Sequence, residues 1–358
     1  MSKVIKFLIA IIIFIIVAII FAFLAYSNQI SAVSNESVKV DFEVKENSTY
    51  LTIASELKEK DLIKSELFYK VYIKINNPNN LQKGKYVLDK NMSVKEIIEV
   101  FSKGNNYNPD VITLTFKEGI NMRGIVKVIS ENTNNSAEDV YNLLKNEEYL
   151  NQIIDKYWFL TDEIKNDKIY YSLEGYLYPD TYEYLNKDVS VNEIFEKMLN
   201  KMDTVLTTYK EDLLNSKYSI HEILTLASII ELEAAGTDDR AGVAGVFYNR
   251  LNNNWSLGSD VTTYYAVKID MSERDLYQSE LDAVNAYNTR SSSMAGKLPI
   301  SPICIPSLES IKATLYSTTH NYFYFVADKN KKTYFNENYD GHVRTISKLK
   351  EENLWFTY

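Results

Sequence analysis

The sequence predicts an α+β protein: an N-terminal transmembrane helix, a small βααβ module and a C-terminal mixed α/β domain. Three observations carry this reading. The chain opens on an unbroken apolar run of bilayer length. A strand, helix, helix, strand pattern follows within residues 38–105. From about Ser219 the chain is first helix-rich, then strand-rich. A length of 358 residues accommodates two or three modules.

The apolar run is FLIAIIIFIIVAIIFAFLAY, Phe7 to Tyr26, without a charge. Lys3 and Lys6 precede it, and the next charges are Glu36 and Lys39, so the positive-inside rule puts residues 1–6 in the cytoplasm and everything after Tyr26 outside the cell membrane. A cleaved signal peptide is the competing reading, but the run exceeds the usual apolar core and no A-x-A site follows at once. Residues 27–37 (SNQISAVSNES) are small and polar, a linker.

In the 38–105 module, VKVDFEV alternates as a strand, and TYLTIASELKEKDLI and SELFYKVYIKI have helical spacing. GKYVLD is a second strand, and SVKEIIEVFSKG a helix closed by Gly104. This element order resembles a LysM-type glycan-binding module. An intermediate α+β segment, 106–210, starts with the strand VITLTFKEG, continues with helices around 122–132 and 136–149, and contains the aromatic-rich LEGYLYPDTYEY. The remaining domain, 211–358, ends on a hairpin, YFYFVADKNKKTYF, with a Lys/Asn turn.

Composition narrows the function. A net charge of −9 excludes nucleic acid as the main partner. The single cysteine, Cys304, rules out an intrachain disulfide and a cysteine-based zinc site. The three histidines, His221, His320 and His342, lack metal-ligand spacing, so neither metal nor cofactor is expected.

The chemistry concentrates in SIHEILTLASIIELEAAG, Ser219 to Gly236. Ser219 and Glu222 form a capping box, and Gly236 is the expected left-handed stop. Ile223, Leu224, Leu226, Ala227, Ile229 and Ile230 make the helix apolar almost all round, hence buried. Glu231 follows on the stripe of Leu224 and Ala227, with Glu233 on the opposite side. Lost hydration there disfavours the charged form, as a general acid requires. A Glu near a helix end is equally well solvated, or paired with an arginine such as Arg240 or Arg250. Periodicity leaves both readings open.

Several blocks bear on that choice. ASIIELE followed by AGVAGVFYNRL resembles the ASIVEKE…VASVFYNRL signature of the endolytic lytic transglycosylases, the MltG or YceG-like family. LGSDVTTYYA, AYNTR, LPISPICIPSLESIKATL, YFYFVAD and LEGYLYPDTYEY resemble further blocks of that family, and together they span Leu173 to His342. The resemblance implies a C-terminal catalytic domain that cuts peptidoglycan glycan strands between N-acetylmuramic acid and N-acetylglucosamine, leaving 1,6-anhydro ends. It makes Glu231 the catalytic acid/base and implies peptidoglycan synthases as partners.

The remaining site candidates are weighed at their matching positions. Glu233 is a partner of Glu231 or a solvated helix-end carboxylate. Asn249 and Arg250 close the following helix and are candidates for the groove. Asp260 and Thr262 lie in the LGSDVTTYYA block, where a turn or cap role competes. Tyr287 offers a stacking face and Asn288 an amide suited to an N-acetyl group. Glu174 and Asp180 read as structural. The chain departs from the family where LPPG reads LPIS, with Ile300 and Ser301, and where NPG reads IPS, with Ile305 and Ser307. Lost glycines put the backbone of those loops in doubt. Leu232 stands where the family has Lys, and SSSMAGK lengthens the same loop. Two alternatives follow: a catalytically silent membrane-anchored scaffold for cell-wall synthases, and a lysozyme-like hydrolase with Asp260 as second carboxylate.

Overall fold

A computed structural model describes residues 3–104, 111–236 and 238–355. The boundary expected at 105/106 lies outside the described residues, as do Met1 and Ser2 of the expected tail. The chain divides into two compact units, Met1–Pro109 and Asp110–Tyr358. Its secondary structure is mixed α+β, with three separate two-stranded antiparallel sheets among the described residues.

The first unit begins with α1 (Lys3–Ile30), which runs into the expected linker. Within it, Ile12–Ile30 is long and apolar enough to cross a bilayer, and its apolar side chains from Ile12 to Ala25 are exposed. β1 (Lys39–Val44) pairs antiparallel with β2 (Gly84–Asp89), from Lys39 opposite Asp89 to Val44 opposite Gly84. Between them lie α2 (Ala54–Glu59) and α3 (Glu66–Asn76), and α4 (Val94–Lys103) follows. Phe42, Leu57, Tyr69, Leu88, Ile97 and Phe101 fill their common core.

The helix expected over 49–63 is only the short α2. The Thr49 and Thr52 hydroxyls compete for the backbone upstream, Thr52 Oγ1 accepting from Thr49 N at 2.8 Å. Asp61, at φ 60°, stops it downstream. Ser65 caps α3, while Ser93 and Glu96 close a capping box on α4.

In the second unit β3 (Ile112–Thr115) pairs with β4 (Thr181–Tyr184). Between these strands run α5 (Met122–Asn132), α6 (Ala137–Leu143) and α7 (Glu147–Lys156). The helical stretch expected over 136–149 is thus two helices, because the Asn146 side chain caps a fresh start by accepting from Tyr149 N. Then come α8 (Val191–Thr207), α9 (Lys210–Leu214), α10 (Ile220–Glu233), α11 (Arg240–Asn252), α12 (Asp260–Ala266), α13 (Gln278–Leu281) and α14 (Leu308–Leu315). The hairpin of β5 (Tyr324–Ala327) and β6 (Thr333–Asn336) and the final helix α15 (Tyr339–Glu351) complete the unit.

α10 explains its own composition. Ile223, Leu224 and Ala227 join a core that reaches from Leu114 to Ile311, whereas Leu226, Ile229 and Ile230 enter a second core with Phe247, Tyr265 and Ile303. A helix clamped between two cores must be apolar all round. The capping box of Ser219 and Glu222 is present. The stop is not Gly236: α10 ends at Glu233, and Ala234 turns extended at φ −75°, ψ 123° while its N–H still bonds Ile230 O. Glu231 therefore sits in the last turn, where the chain peels away and returns as α11.

Candidate active site

The return of the chain brings Arg240, the first residue of α11, onto Glu231. Arg240 Nη2 donates to Glu231 Oε1 at 3.0 Å, with the carboxylate side chain 7% and the guanidinium side chain 11% exposed. The other oxygen, Oε2, is held from α14. It accepts from Ser307 N at 2.9 Å, from the Ser307 hydroxyl, and from Ser310 Oγ at 2.8 Å. Ser307 is the N-cap of α14, so the carboxylate also lies at the positive end of that helix. Arg240 Nη1 donates to Ser307 Oγ at 3.0 Å, closing the ring of contacts.

Dehydration by an apolar stripe is thus only half of this environment. A guanidinium and three donors from α14 replace the lost water. The two oxygens differ: Oε2 has three partners, and Oε1 has Arg240. A carboxylate oxygen has two lone pairs. Oε1 is therefore the oxygen with room for a proton.

A second carboxyl lies nearby. The turn after β3 is clipped to the α14 approach by two backbone bonds, Gly119 N to Ile305 O and Ile305 N to Ile120 O, both 2.8 Å. Gly119, at φ +74°, packs so closely that a Cβ there would meet Leu232 Cδ2 at 3.3 Å and Glu231 Cγ at 3.8 Å. Glu118 precedes it. Its carboxyl is pushed up by burial and by the negative charges of Glu231 and Glu309, against the pull of Arg240.

The other candidates do not all gather here. Glu233 faces a different neighbourhood, where Ser259 Oγ donates to it; burial, and then the charge of Asp260, push its carboxyl up. Asn249 Nδ2 donates to His320 O and Tyr322 O at 2.8 Å. Arg250 Nε donates to Phe323 O at 2.8 Å, and its Nη1 donates to Leu257 O. Both residues pin loops. Asp260 starts α12, 57% exposed and paired with Arg290 at 2.6 Å.

Thr262 is buried, donating to Ser259 O at 2.7 Å. Tyr287 offers no stacking face: it is 1% exposed, with its ring against Tyr170 and Tyr265 and its hydroxyl bonded to Ser301 Oγ at 2.9 Å. Asn288 is fully buried. Its Oδ1 accepts from Thr263 Oγ1 at 2.7 Å, and its Nδ2 donates to Leu281 O and Ala283 O. The amide expected to meet an N-acetyl group is consumed inside the protein. Glu174 is structural, both oxygens accepting from Met122 N at 3.0 Å and one from Tyr265 OH at 2.9 Å. Burial pushes its carboxyl up to about 7.

Sequence reasoning missed Ser307, Ser310 and Glu118. Ser307 was in view only as a departure from a glycine. At φ −69°, ψ 162° it has ordinary extended geometry, and none of Ile300, Ser301 and Ile305 has positive φ. The doubt over these loops is thereby removed. The Ser307 hydroxyl adds a donor to Glu231 that glycine lacks. Ile300 O pairs with His221 Nε2 at 2.8 Å, which fixes the other altered loop.

Fold and site together define a mixed α+β scaffold that holds one mostly buried carboxylate, partnered at both oxygens, between α10, α11 and α14. The YceG-like family model matches residues 42–348. A Bacillus subtilis protein named endolytic murein transglycosylase is 33% identical over 310 residues, covering 86% of this chain and 84% of that protein. A Streptococcus pneumoniae protein of the same name is 29% identical over 338 residues, 90% of this chain; the match spans 60% of that longer protein. The crystal structure of a YceG-like protein from Listeria monocytogenes superposes with a TM-score of 0.61 at 31% identity, covering 87% of this chain and all of that one. The chain belongs to the YceG-like family.

Proposed function

We propose that this chain is a membrane-anchored endolytic murein transglycosylase that cleaves peptidoglycan glycan strands, with Glu231 carrying the proton in both halves of the reaction. The observation that carries the reading is the asymmetry of Glu231: Oε2 is locked by α14, and among the described residues Oε1 is held by Arg240 alone. Protonated at Oε1, Glu231 delivers its proton to the oxygen joining N-acetylmuramic acid to N-acetylglucosamine, and the C1–O bond breaks. The same oxygen then takes the proton of the muramyl 6-hydroxyl as O6 bonds to C1, closing the 1,6-anhydro ring without water. Oε2 accepts from the Ser307 and Ser310 hydroxyls whether or not Oε1 carries the proton, so these donors serve both protonation states. Positive charge developing at C1 meets the negative cluster of Glu118, Glu231 and Glu309, or the substrate's own N-acetyl oxygen.

In this reading α1 is a retained anchor with a cytoplasmic N-terminus, and the rest of the chain is extracytoplasmic. The 38–105 region acts as a LysM-like module that holds glycan, 106–210 supports the site, and 211–358 supplies Glu231 and its donors. Asn249, Arg250, Thr262, Tyr287 and Asn288 act by fixing the walls of the groove. Glu233 and Asp260 belong to the neighbouring Ser259 and Arg290 contacts and are assigned a supporting role for the same walls. Synthases of nascent strands are the partners this placement suits.

Glu118 favours a second reading. As a second carboxyl it suits a lysozyme-like hydrolase, in the role first expected of Asp260. Mass analysis of products from uncrosslinked strands separates the outcomes. Anhydro ends support the transglycosylase, reducing ends the hydrolase, and uncut strands the silent scaffold.

A further inference from the structure

A cavity of about 380 Å³ opens beside Glu231 and has no role in the proton transfers above. Gly119 and Leu232 line it, and Gly119 lies so close to Glu231 that a Cβ there would stand 3.8 Å from Glu231 Cγ. Its walls combine Leu232, Val261, Ile269, Met271 and Ile303 with the polar side chains of Asn121, Ser272 and two tyrosines, and its one cation is Arg123 near the start of α5. Arg123 Nη2 donates to Asp270 Oδ1 at 2.8 Å. Its Nη1 is buried and has no acceptor among the described residues. Glu174, whose charge acts on Arg123, is turned to other donors, its oxygens accepting from Met122 N and the Tyr265 hydroxyl. A buried guanidinium edge without an acceptor costs free energy that a ligand oxygen recovers.

Aliphatic side chains, a few amide- and hydroxyl-bearing neighbours and one cation together suit a short chain of methyl-bearing residues joined by amide bonds and ending in carboxylates. Muramyl residues carry such a chain as a lactyl-linked peptide branch. Resting on the function proposed above, we propose that this cavity binds the acidic peptide branch of the muramyl residue being cut, with Arg123 Nη1 holding a branch carboxylate. The enzyme then prefers peptide-bearing strands to denuded ones. Asp270, 59% exposed on the other edge of the guanidinium, tempers that attraction.

The test uses the full chain in detergent on two strand preparations of equal length, one peptide-bearing and one stripped by an amidase. Wild type is expected to cut the peptide-bearing strands faster. Arg123→Ala lowers the ratio of the two kcat/KM values by about tenfold or more, the scale of a lost charge-assisted hydrogen bond. Arg123→Lys recovers part of the ratio, and Asp270→Asn raises it. Equal wild-type rates on both strands, or an equal loss on both in Arg123→Ala whether partial or complete, overturns the pocket assignment and leaves the glycan-cutting reading standing. Wild type cutting neither strand overturns the function itself.

Discussion

Ser307 donates to Glu231 twice, through its backbone N–H at 2.9 Å and through its hydroxyl, both onto Oε2. The residue that departs from the family glycine is therefore a direct partner of the carboxylate to which the proposed function assigns the proton transfers. Ser307→Gly keeps the N–H and removes the hydroxyl, which also accepts from Arg240. A lost hydrogen bond to a charged group amounts to about 1.5 kcal/mol or more, so kcat/KM on glycan strands is expected to fall about tenfold. An unchanged rate removes the hydroxyl from the mechanism.

Arg240 and Glu231 form a pair with little solvent on either side. Removing only the guanidinium leaves a buried carboxylate without its counter-charge. Arg240→Ala is expected to lower unfolding free energy by about 3 kcal/mol. Combining it with Glu231→Gln should recover a good part of that loss, because the stranded charge disappears. Denaturant unfolding of the four proteins of the cycle measures this coupling, and simple additivity of the two changes contradicts it.

Glu174 gives the folded state a pH dependence. Its carboxyl titrates near 7 when folded, against an ordinary value of 4.5. Folding takes up a proton between those values. The associated stability is complete below pH 4.5 and is lost as pH rises through 7, by roughly 3 kcal/mol at most. Melting temperature followed from pH 4 to 8 should show this decline, and Glu174→Gln should flatten it. Parallel curves for the two proteins contradict the assignment.

Gly119 ties a turn outside α10 to the site. A side chain there is strained at φ +74° and presses on Leu232. Gly119→Ala is expected to cost about 1–2 kcal/mol of stability, and to reduce kcat/KM more than that loss alone accounts for, by displacing Leu232 and reorienting Glu231. A variant with full activity shows that the close approach is incidental.

The sequence made the helix around Glu231 legible because its signals are local: a capping box at Ser219 and Glu222, and apolar residues on every face. The apolar N-terminal helix and the closing hairpin were legible for the same reason. What surrounds the carboxylate was not, since Ser307 and Ser310 arrive from 76 and 79 residues away. Arg240 was named only as a generic partner. Tyr287 and Asn288 misled because residue type suggested binding chemistry while burial decided their use. Gly236 looked like a helix stop, yet α10 ends earlier because the chain must turn back to place Arg240. Glu118 looked like the tail of a strand, whereas it sits in the turn after β3, which the backbone bonds of Gly119 and Ile120 with Ile305 clip to the approach of α14.

The central claim is that the Glu231 side chain carries the proton that cleaves the strand. Purified Glu231→Gln protein, shown by circular dichroism to be folded, is incubated with uncrosslinked glycan strands beside the wild type, and the products are weighed by mass spectrometry. Wild type is expected to shorten the strands and leave 1,6-anhydro ends, and the variant to leave them at full length. Strands shortened by the variant at the wild-type rate contradict the account.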